Sequence, residues 1–438
     1  MNYFEPNTKI PLVHGGDAIV KGKPLGEGGQ GVVYLVSVGD EDYALKWYHK
    51  GVIREPEKFY KNLANNINKG KPNNSFLWPL YLTERKDGSF GYVMELRKKN
   101  LIELSKFLMV KVRFASISAI INACLNITSA FRQLRRRGYS YQDLNDSNFF
   151  FDPKTGDALI CDNDNVAPDG ENLGIAGKAR YMAPEVVRGD FLPDVDTDHF
   201  SLAVILFLIL FLNHPLEGQR VNDIELLDDI EEKRLFGHEP IFIYDKDDRR
   251  NPPVRAVHSN VIRYWQLYPK LIREQFTRAF SKEAMARVKD KTPPRLTDDE
   301  WRTTFIQLRD MLITCPCGAE TFVPPDEDFS NCIHCGIKIP RPSVLTRGRY
   351  NVILFPGKKL YLCHVDPDND DYETVCGEII RNPKNERIWG LKNMSDHQWT
   401  VTATDGADKT IAKGEVAVIV KIKSINFGTS TATINHQN

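Results

Sequence analysis

Tyr141-Gln142-Asp143-Leu144-Asn145-Asp146-Ser147-Asn148, followed by Leu159-Ile160-Cys161-Asp162-Asn163-Asp164, is the stretch on which the reading of this chain turns. It offers an Asp, an Asn five residues on, and a further Asp fourteen after that. Chemically these are one carboxylate able to orient a hydroxyl and two hard oxygen ligands of the kind Mg²⁺ takes.

Toward the N-terminus, Gly26-Glu27-Gly28-Gly29-Gln30-Gly31-Val32-Val33 lies between strand-like runs. Glycines let a backbone turn tightly enough to aim its N–H groups at phosphate oxygens, although taken alone the loop is as well a hairpin with no ligand. Fifteen residues after Gly31, Lys46 closes Tyr43-Ala44-Leu45-Lys46. In an alternating strand its ammonium falls on the face where triphosphate charge needs neutralising.

From Lys23 to Arg97, short strand-like runs are interrupted once, by a polar helical segment over Pro56 to Lys69; this predicts a small antiparallel sheet plus one helix. From Leu101 to Leu312 helical patterns dominate, with a loop-rich passage from Ser140 to Pro184. The apolar run Ser201 to Leu212 falls short of the ~20 residues needed to cross a bilayer and is expected to be a buried core helix.

At 438 residues, two or more domains are expected. The 58 basic and 58 acidic side chains cancel, which excludes a general electrostatic attraction to nucleic acid or to a membrane surface. The start, MNYFEPNTKIPLVHGG, lacks the basic and apolar regions of a signal peptide, so a cytoplasmic location is expected. Four of the eight cysteines stand in two tight pairs and the rest are scattered singly, which is metal usage rather than a disulfide framework.

Residues of about 20 to 312 carry these motifs in an unbroken order that resembles the eukaryotic-like serine/threonine protein kinases. The resemblance implies an α+β, bilobal kinase domain over 1–312, with an antiparallel β N-lobe (about 1–96) and a helical C-lobe (about 97–312). It also implies ATP with Mg²⁺ or Mn²⁺ and phosphoryl transfer to protein Ser/Thr hydroxyls, autophosphorylation included, in bacterial signalling. By the same resemblance Gly26, Gly28 and Gly31 cover the phosphates, Val33 and Ala44 pack on adenine, and Lys46 holds the α- and β-phosphates. Met94, Glu95 and Leu96 form the hinge, Asp143 is the catalytic carboxylate, and Asn148 and Asp162 hold the metal. Ala183-Pro184-Glu185, Arg295 and Asp198 are expected to be structural anchors.

The chain departs from the family's pattern at several points. Tyr141-Gln142 replaces His-Arg before the catalytic aspartate, and Asn163 to Met182 contains no Ser or Thr, only Tyr181. Missing phosphate site and missing arginine agree, so switching by activation-loop Ser/Thr phosphorylation is not expected. Asn163-Asp164 replaces Phe-Gly, making Asp164 either a further metal ligand or a self-capping turn residue. Asn145 stands where the family has a lysine, leaving room for another cation to substitute. A helix carboxylate should pair Lys46, but counting back from Phe76-Leu77 reaches Asn65, with Glu57 the nearest acid. Without that partner, the alternative is a nucleotide-binding pseudokinase acting as a regulatory scaffold.

Behind the kinase motifs, Cys315-Pro316-Cys317-Gly318 and Cys332-Ile333-His334-Cys335-Gly336 resemble a zinc ribbon over 313–341, with four thiolates for a structural Zn²⁺. Residues 346–438 read as an eight-strand, sandwich-like unit to which Trp389, Trp399, Val401 and Phe427 bring apolar bulk. It faintly resembles forkhead-associated (FHA) domains, yet Ser395-Asp396-His397 has the wrong spacing for their phosphothreonine site; a docking or autoregulatory role is expected. The whole arrangement resembles bacterial kinases found with a phosphatase and a von Willebrand-type protein in tellurium-resistance settings. This resemblance implies those two as partners, with the von Willebrand-type protein one substrate.

Overall fold

Alternating side chains in GVVYLVSV and EDYALKWY fix the centre of the first sheet. In chain order its strands are β1 (Lys9–Pro11), β2 (Asp17–Val20), β3 (Gly26–Glu27), β4 (Gly31–Val38), β5 (Glu41–Tyr48), β6 (Pro79–Leu82) and β7 (Gly91–Met94). They run spatially β1-β2-β4-β5-β7-β6, with β3 folded onto β4. The β4–β5 register sets Val33 opposite Lys46, and β5–β7 sets Ala44 opposite Met94. The computed structural model describes residues 3–174, 177–288, 293–327 and 331–436.

Helix α1 (Pro56–Lys69) has the bounds its polar pattern predicts. Pro56 suits the first turn, where no N–H is needed, and Gly70 at φ 71° ends it. Its inner face buries Phe59 and Leu63 together with two amides, Asn62 and Asn66.

Long helices follow at Ile117–Arg136, Val195–Phe211 and Asp298–Asp310. From Phe200 to Phe211 every residue of the second is buried. It is apolar all round because it is surrounded, the signature of a core helix. A reciprocal capping box starts it: Thr197 N–H donates to the Asp194 carboxylate (2.8 Å) and Asp194 N–H to the Thr197 hydroxyl (2.9 Å). Among the described residues no helix is long and apolar enough to cross a membrane.

The chain divides into two compact units, one of Met1–Ala115, Asn122–Gln266 and Glu274–Arg302, the other of Ser116–Ile121, Leu267–Arg273 and Thr303–Asn438. In the second, Val344–Arg347, Tyr350–Ile353, Trp399–Ala403, Asp408–Ile411, Ile422–Asn426 and Thr431–Asn435 form one sheet. Lys359–Tyr361, Val375–Asn382, Asn385–Asn393 and Val416–Val418 form another. One apolar cluster draws on both sheets, with Leu345, Leu360, Ile379, Leu391 and Trp399 inside it. The expected eight strands are ten among the described residues. Lys359–Tyr361 and Val416–Val418 are only three residues long, and a 3₁₀ turn at Ile419–Lys421 divides Val416–Val418 from Ile422–Asn426 within one apolar run.

Candidate active site

Asp143 sits on a loop held from below by a helix-start carboxylate. Asp198 accepts the backbone N–H groups of Tyr141 (2.6 Å) and Gln142 (3.0 Å). Burial pushes Asp198 up to about 6, against the pull of Arg135 and of those two N–H donors. From above, Tyr141, in the place of the family's histidine, donates its hydroxyl to the Cys161 carbonyl and so ties the loop to the strand leading into Asp162.

The Asp143 carboxylate accepts from Asn145 Nδ2 at 3.0 Å and from Asn165 Nδ2 at 3.4 Å. Burial raises its pKa, the Asn145 hydrogen bond opposes that, Asp162 adds to it, and Lys178 pulls it down. A raised carboxylate is a better proton acceptor than a free aspartate, as general-base work requires.

Asn148 and Asp162 are brought together by a short hairpin. Phe149–Phe151 pairs with Ala158–Ile160, with Phe149 opposite Ile160, and Cys161 N–H donates to the Asn148 carbonyl at 2.8 Å. Asn148 Nδ2 in turn donates to the Asp143 backbone carbonyl at 2.9 Å. Asp162 adopts a left-handed backbone conformation, φ 52°, and its side chain is 45% exposed. An amide oxygen beside a solvent-facing carboxylate is a donor set that fits Mg²⁺, which keeps several of its waters.

Lys46 is buried, and its partners settle the question of the missing carboxylate. Its ammonium lies 2.9 Å from Asp164 Oδ2, 3.4 Å from Asp162 Oδ1 and 3.0 Å from Gln30 Oε1. Burial alone would lower its pKa; Asp164 and then Asp162 outweigh this and hold it above an ordinary lysine. Asp164 is fully buried and also accepts the Tyr48 hydroxyl, so it is an ion-pair acceptor rather than a turn residue capping itself. Glu57 is overturned as the partner of Lys46: it faces solvent and is taken by Arg85, whose Nη2 lies 2.9 Å from it.

Helix α1 reaches the site through amides. Asn62 and Asn66 both donate to the Val166 carbonyl, each at 2.8 Å. Asn163, in place of the family's phenylalanine, is buried and donates to the carbonyls of Leu77 and Ile160, each at 2.8 Å. Gln142, where the family has its phosphate-receiving arginine, donates to Ser140 Oγ (2.9 Å) and to the Glu171 carbonyl (2.5 Å) and accepts from Asn172 (3.2 Å). The segment after Asp162–Asp164 is thus tied down by neutral hydrogen bonds. Further on, Arg295 makes a two-pronged buried bond to Glu185 (2.8 and 2.9 Å).

Gly26 and Gly28 have open space around the position of a side chain, whereas a Cβ on Gly31 would meet the Trp47 carbonyl at 2.2 Å. Gly31 is therefore required by the close approach of β4 to β5. Val33, Ala44, Met94 and Leu159 share one apolar cluster, and Glu95 and Leu96 beyond it are exposed. No role for Leu159, Gln30 or Tyr48 was read from the sequence; Leu159 and Gln30 stand inside the two quoted motifs, whereas Tyr48 carried no local signal.

In the second unit, Cys315, Cys317, Cys332 and Cys335 place their sulfurs within 4.8 Å of one another and could hold a metal ion. The Cys315–Cys335 and Cys317–Cys332 separations are both 3.8 Å. Zn–S bonds of about 2.3 Å in a tetrahedron require sulfurs about 3.8 Å apart, so the four thiols fit that ion. Cys315 and Cys332 also lie in an apolar cluster with Ile313, Ile339, Val344, Ile353 and Phe355.

The family model described as "Protein kinase domain" matches residues 19–274. Calcium-dependent protein kinase 21 of Oryza sativa subsp. japonica is 29% identical over 161 residues, which is 35% of this chain and 27% of that protein. Serine/threonine-protein kinase sck2 of Schizosaccharomyces pombe is 26% identical over 203 residues, 44% of this chain and 31% of that protein. The chain thus spans under a third of the length of these two curated relatives. The crystal structure of the PknI kinase domain of Mycobacterium tuberculosis aligns with a TM-score of 0.44 at 15% identity, covering 70% of this chain and 100% of that one.

Proposed function

Because the chain belongs to the protein kinase family, whose domain spans residues 19–274, we propose that it transfers the γ-phosphoryl group of ATP to Ser/Thr hydroxyls of proteins, its own included. The observation that carries this reading is the convergence of Asp143, Asn148, Asp162 and Lys46 on one site: Asn145 and Asn165 hold the Asp143 carboxylate, Asn148 bonds the Asp143 carbonyl, and Lys46 pairs with Asp164 and Asp162.

Asp143 accepts the proton of the attacking hydroxyl, and Asn145 and Asn165 fix its two oxygens for that task. Lys46 holds the α- and β-phosphates, leaving Gln30 as they arrive. Val33, Ala44 and Leu159 take the adenine, whose edge meets Glu95 and Leu96 while Gly26 and Gly28 close over the phosphates. Asn148 and Asp162 would hold Mg²⁺ or Mn²⁺, which when bound supplies charge neutralisation on the phosphates.

The pseudokinase reading drew its strength from the want of a carboxylate for Lys46, and Asp164 supplies one. The neutral tether through Gln142 supports an activation segment set without phosphorylation. We read the four cysteines as a structural zinc site and residues 346–438 as a docking or autoregulatory domain for protein partners. A von Willebrand-type protein and a cognate phosphatase are the candidates the triad resemblance suggests.

The test is transfer of labelled γ-phosphate from ATP with Mg²⁺ or Mn²⁺, to the chain itself and to casein, comparing wild type with Asp143→Ala. Label on Ser or Thr that depends on Asp143 is the expected result. Binding of ATP by both proteins with label on neither would move the pseudokinase ahead.

A further inference from the structure

Kinases of this family take a positive charge for the transferring phosphoryl group from two residues past the catalytic aspartate, and Asn145 occupies that place here. We propose that Lys178, from the segment after the metal loop, is the catalytic cation in its stead, touching the γ-phosphoryl group during transfer. The inference rests on the kinase reading above and names one more residue of that site.

The Lys178 ammonium lies 3.3 Å from Asn145 Oδ1, 2.9 Å from Ser147 Oγ and 3.6 Å from Asp146 Oδ1. Asn145 therefore has the cation at its oxygen end and the catalytic carboxylate at its nitrogen end, 3.0 Å from Asp143 Oδ1. The backbone delivering Lys178 passes close by, since a Cβ built on Gly177 would stand 3.7 Å from that same carboxylate oxygen. A lysine on a flexible stem thus brings its charge to the position left neutral by Asn145.

The side chain of Lys178 is 53% exposed, so the ammonium can pass from Ser147 to a phosphoryl oxygen without being stripped of solvent. A purely structural role as a clamp on Asp146 has little to offer, because a pair at 3.6 Å whose lysine is half exposed contributes little to stability. Lys46 is committed elsewhere, to Asp164 and Asp162.

In the step itself the substrate hydroxyl oxygen bonds to the γ-phosphorus while the bond to the β,γ-bridging oxygen breaks. The hydroxyl proton goes to Asp143, the electron pair of the broken bond leaves with ADP, and Lys178 balances the charge spread over the equatorial oxygens. No redox change or further reactant is needed.

The experiment is steady-state transfer from ATP to casein by the full chain, for wild type, Lys178→Met, Lys178→Arg and the double variant Asn145→Lys/Lys178→Met. Loss of one charge partner of the transition state predicts a fall in kcat of about 10²-fold for Lys178→Met, with KM for ATP little changed. Lys178→Arg should retain most activity, and the double variant should regain about tenfold over Lys178→Met by restoring the charge from the family's position. Lys178→Met with wild-type kcat, or with a loss confined to KM, overturns the inference and leaves the kinase reading standing. A wild type that binds ATP but transfers nothing overturns the kinase reading, and the role of Lys178 with it.

Discussion

Lys46 and Asp164 form a buried ion pair at 2.9 Å, joining the second central strand of the first sheet to the residue two past Asp162. The carboxylate that holds Lys46 comes from the loop after Ala158–Ile160 and not from helix α1. The position where the family has a flexible glycine has become an anchor.

Asp164→Ala should therefore be far more damaging than a turn substitution. It leaves the buried Lys46 ammonium with only the longer contact to Asp162 (3.4 Å) and the neutral Gln30, and removes the acceptor of the Tyr48 hydroxyl. Breaking a buried pair from one side costs about 3–5 kcal/mol, and the affinity for ATP should fall alongside. Thermal unfolding and nucleotide titration check both, and Glu57→Ala serves as the control that leaves nucleotide affinity unchanged.

Gln142→Ala should lower phosphoryl transfer by about tenfold without touching Lys46, because it cuts the hydrogen bonds from the catalytic loop to Glu171 and Asn172. Wild-type protein treated with a broad-specificity phosphatase should lose no activity. Recovery of a required phosphate on Tyr181 by mass spectrometry would contradict this.

The acid limb of the pH–rate profile should lie above the range of an ordinary aspartate. Asp143 must be ionised to accept a proton, and burial raises its pKa, with Asp162 and Asp164 adding to the shift while Asn145 and Lys178 oppose it. Asp198, pushed up to about 6, takes up a proton as pH falls through that value, and the loop's N–H groups then lose an acceptor. Activity is thus full well above pH 6 and is lost as pH falls through it. Lys178→Met removes an opposing charge, so its acid limb should move to higher pH.

One zinc ion per chain should be found by elemental mass spectrometry, and Cys315→Ser or Cys332→Ser should abolish it. Both sulfurs belong to the cluster with Val344 and Ile353. Metal removal should raise hydrogen exchange in those strands as well as around the cysteines, because a site built on thiolates stabilises the surrounding fold through metal binding.

How far the sequence discloses these features follows from how local each one is. Asp143, Asn148 and Asp162 were legible because the loop and hairpin that carry them permit one spacing, and the limits of α1 because Pro56 and Gly70 punctuate them. The four cysteines were legible for the same reason. The partner of Lys46 was not, since Asp164 lies 118 residues further along the chain and only folding brings the two together. Counting along α1 failed because that helix meets the site with Asn62 and Asn66, whose amides carry no charge to announce an ion pair. The role of Gly31 was masked by its motif: its neighbour in space is the Trp47 carbonyl, which no pattern of glycines reveals.

The two amides of α1 that share the Val166 carbonyl change what a regulator pressing on this helix can accomplish. In kinases where the helix supplies the lysine's partner, rotating the helix outward uncouples the lysine from its ion pair. Here the same rotation would leave Lys46 paired and instead bare a buried carbonyl at the root of the segment that bears Lys178. The lever still exists, but it acts on the backbone after Asp164 and leaves the ion pair of Lys46 in place.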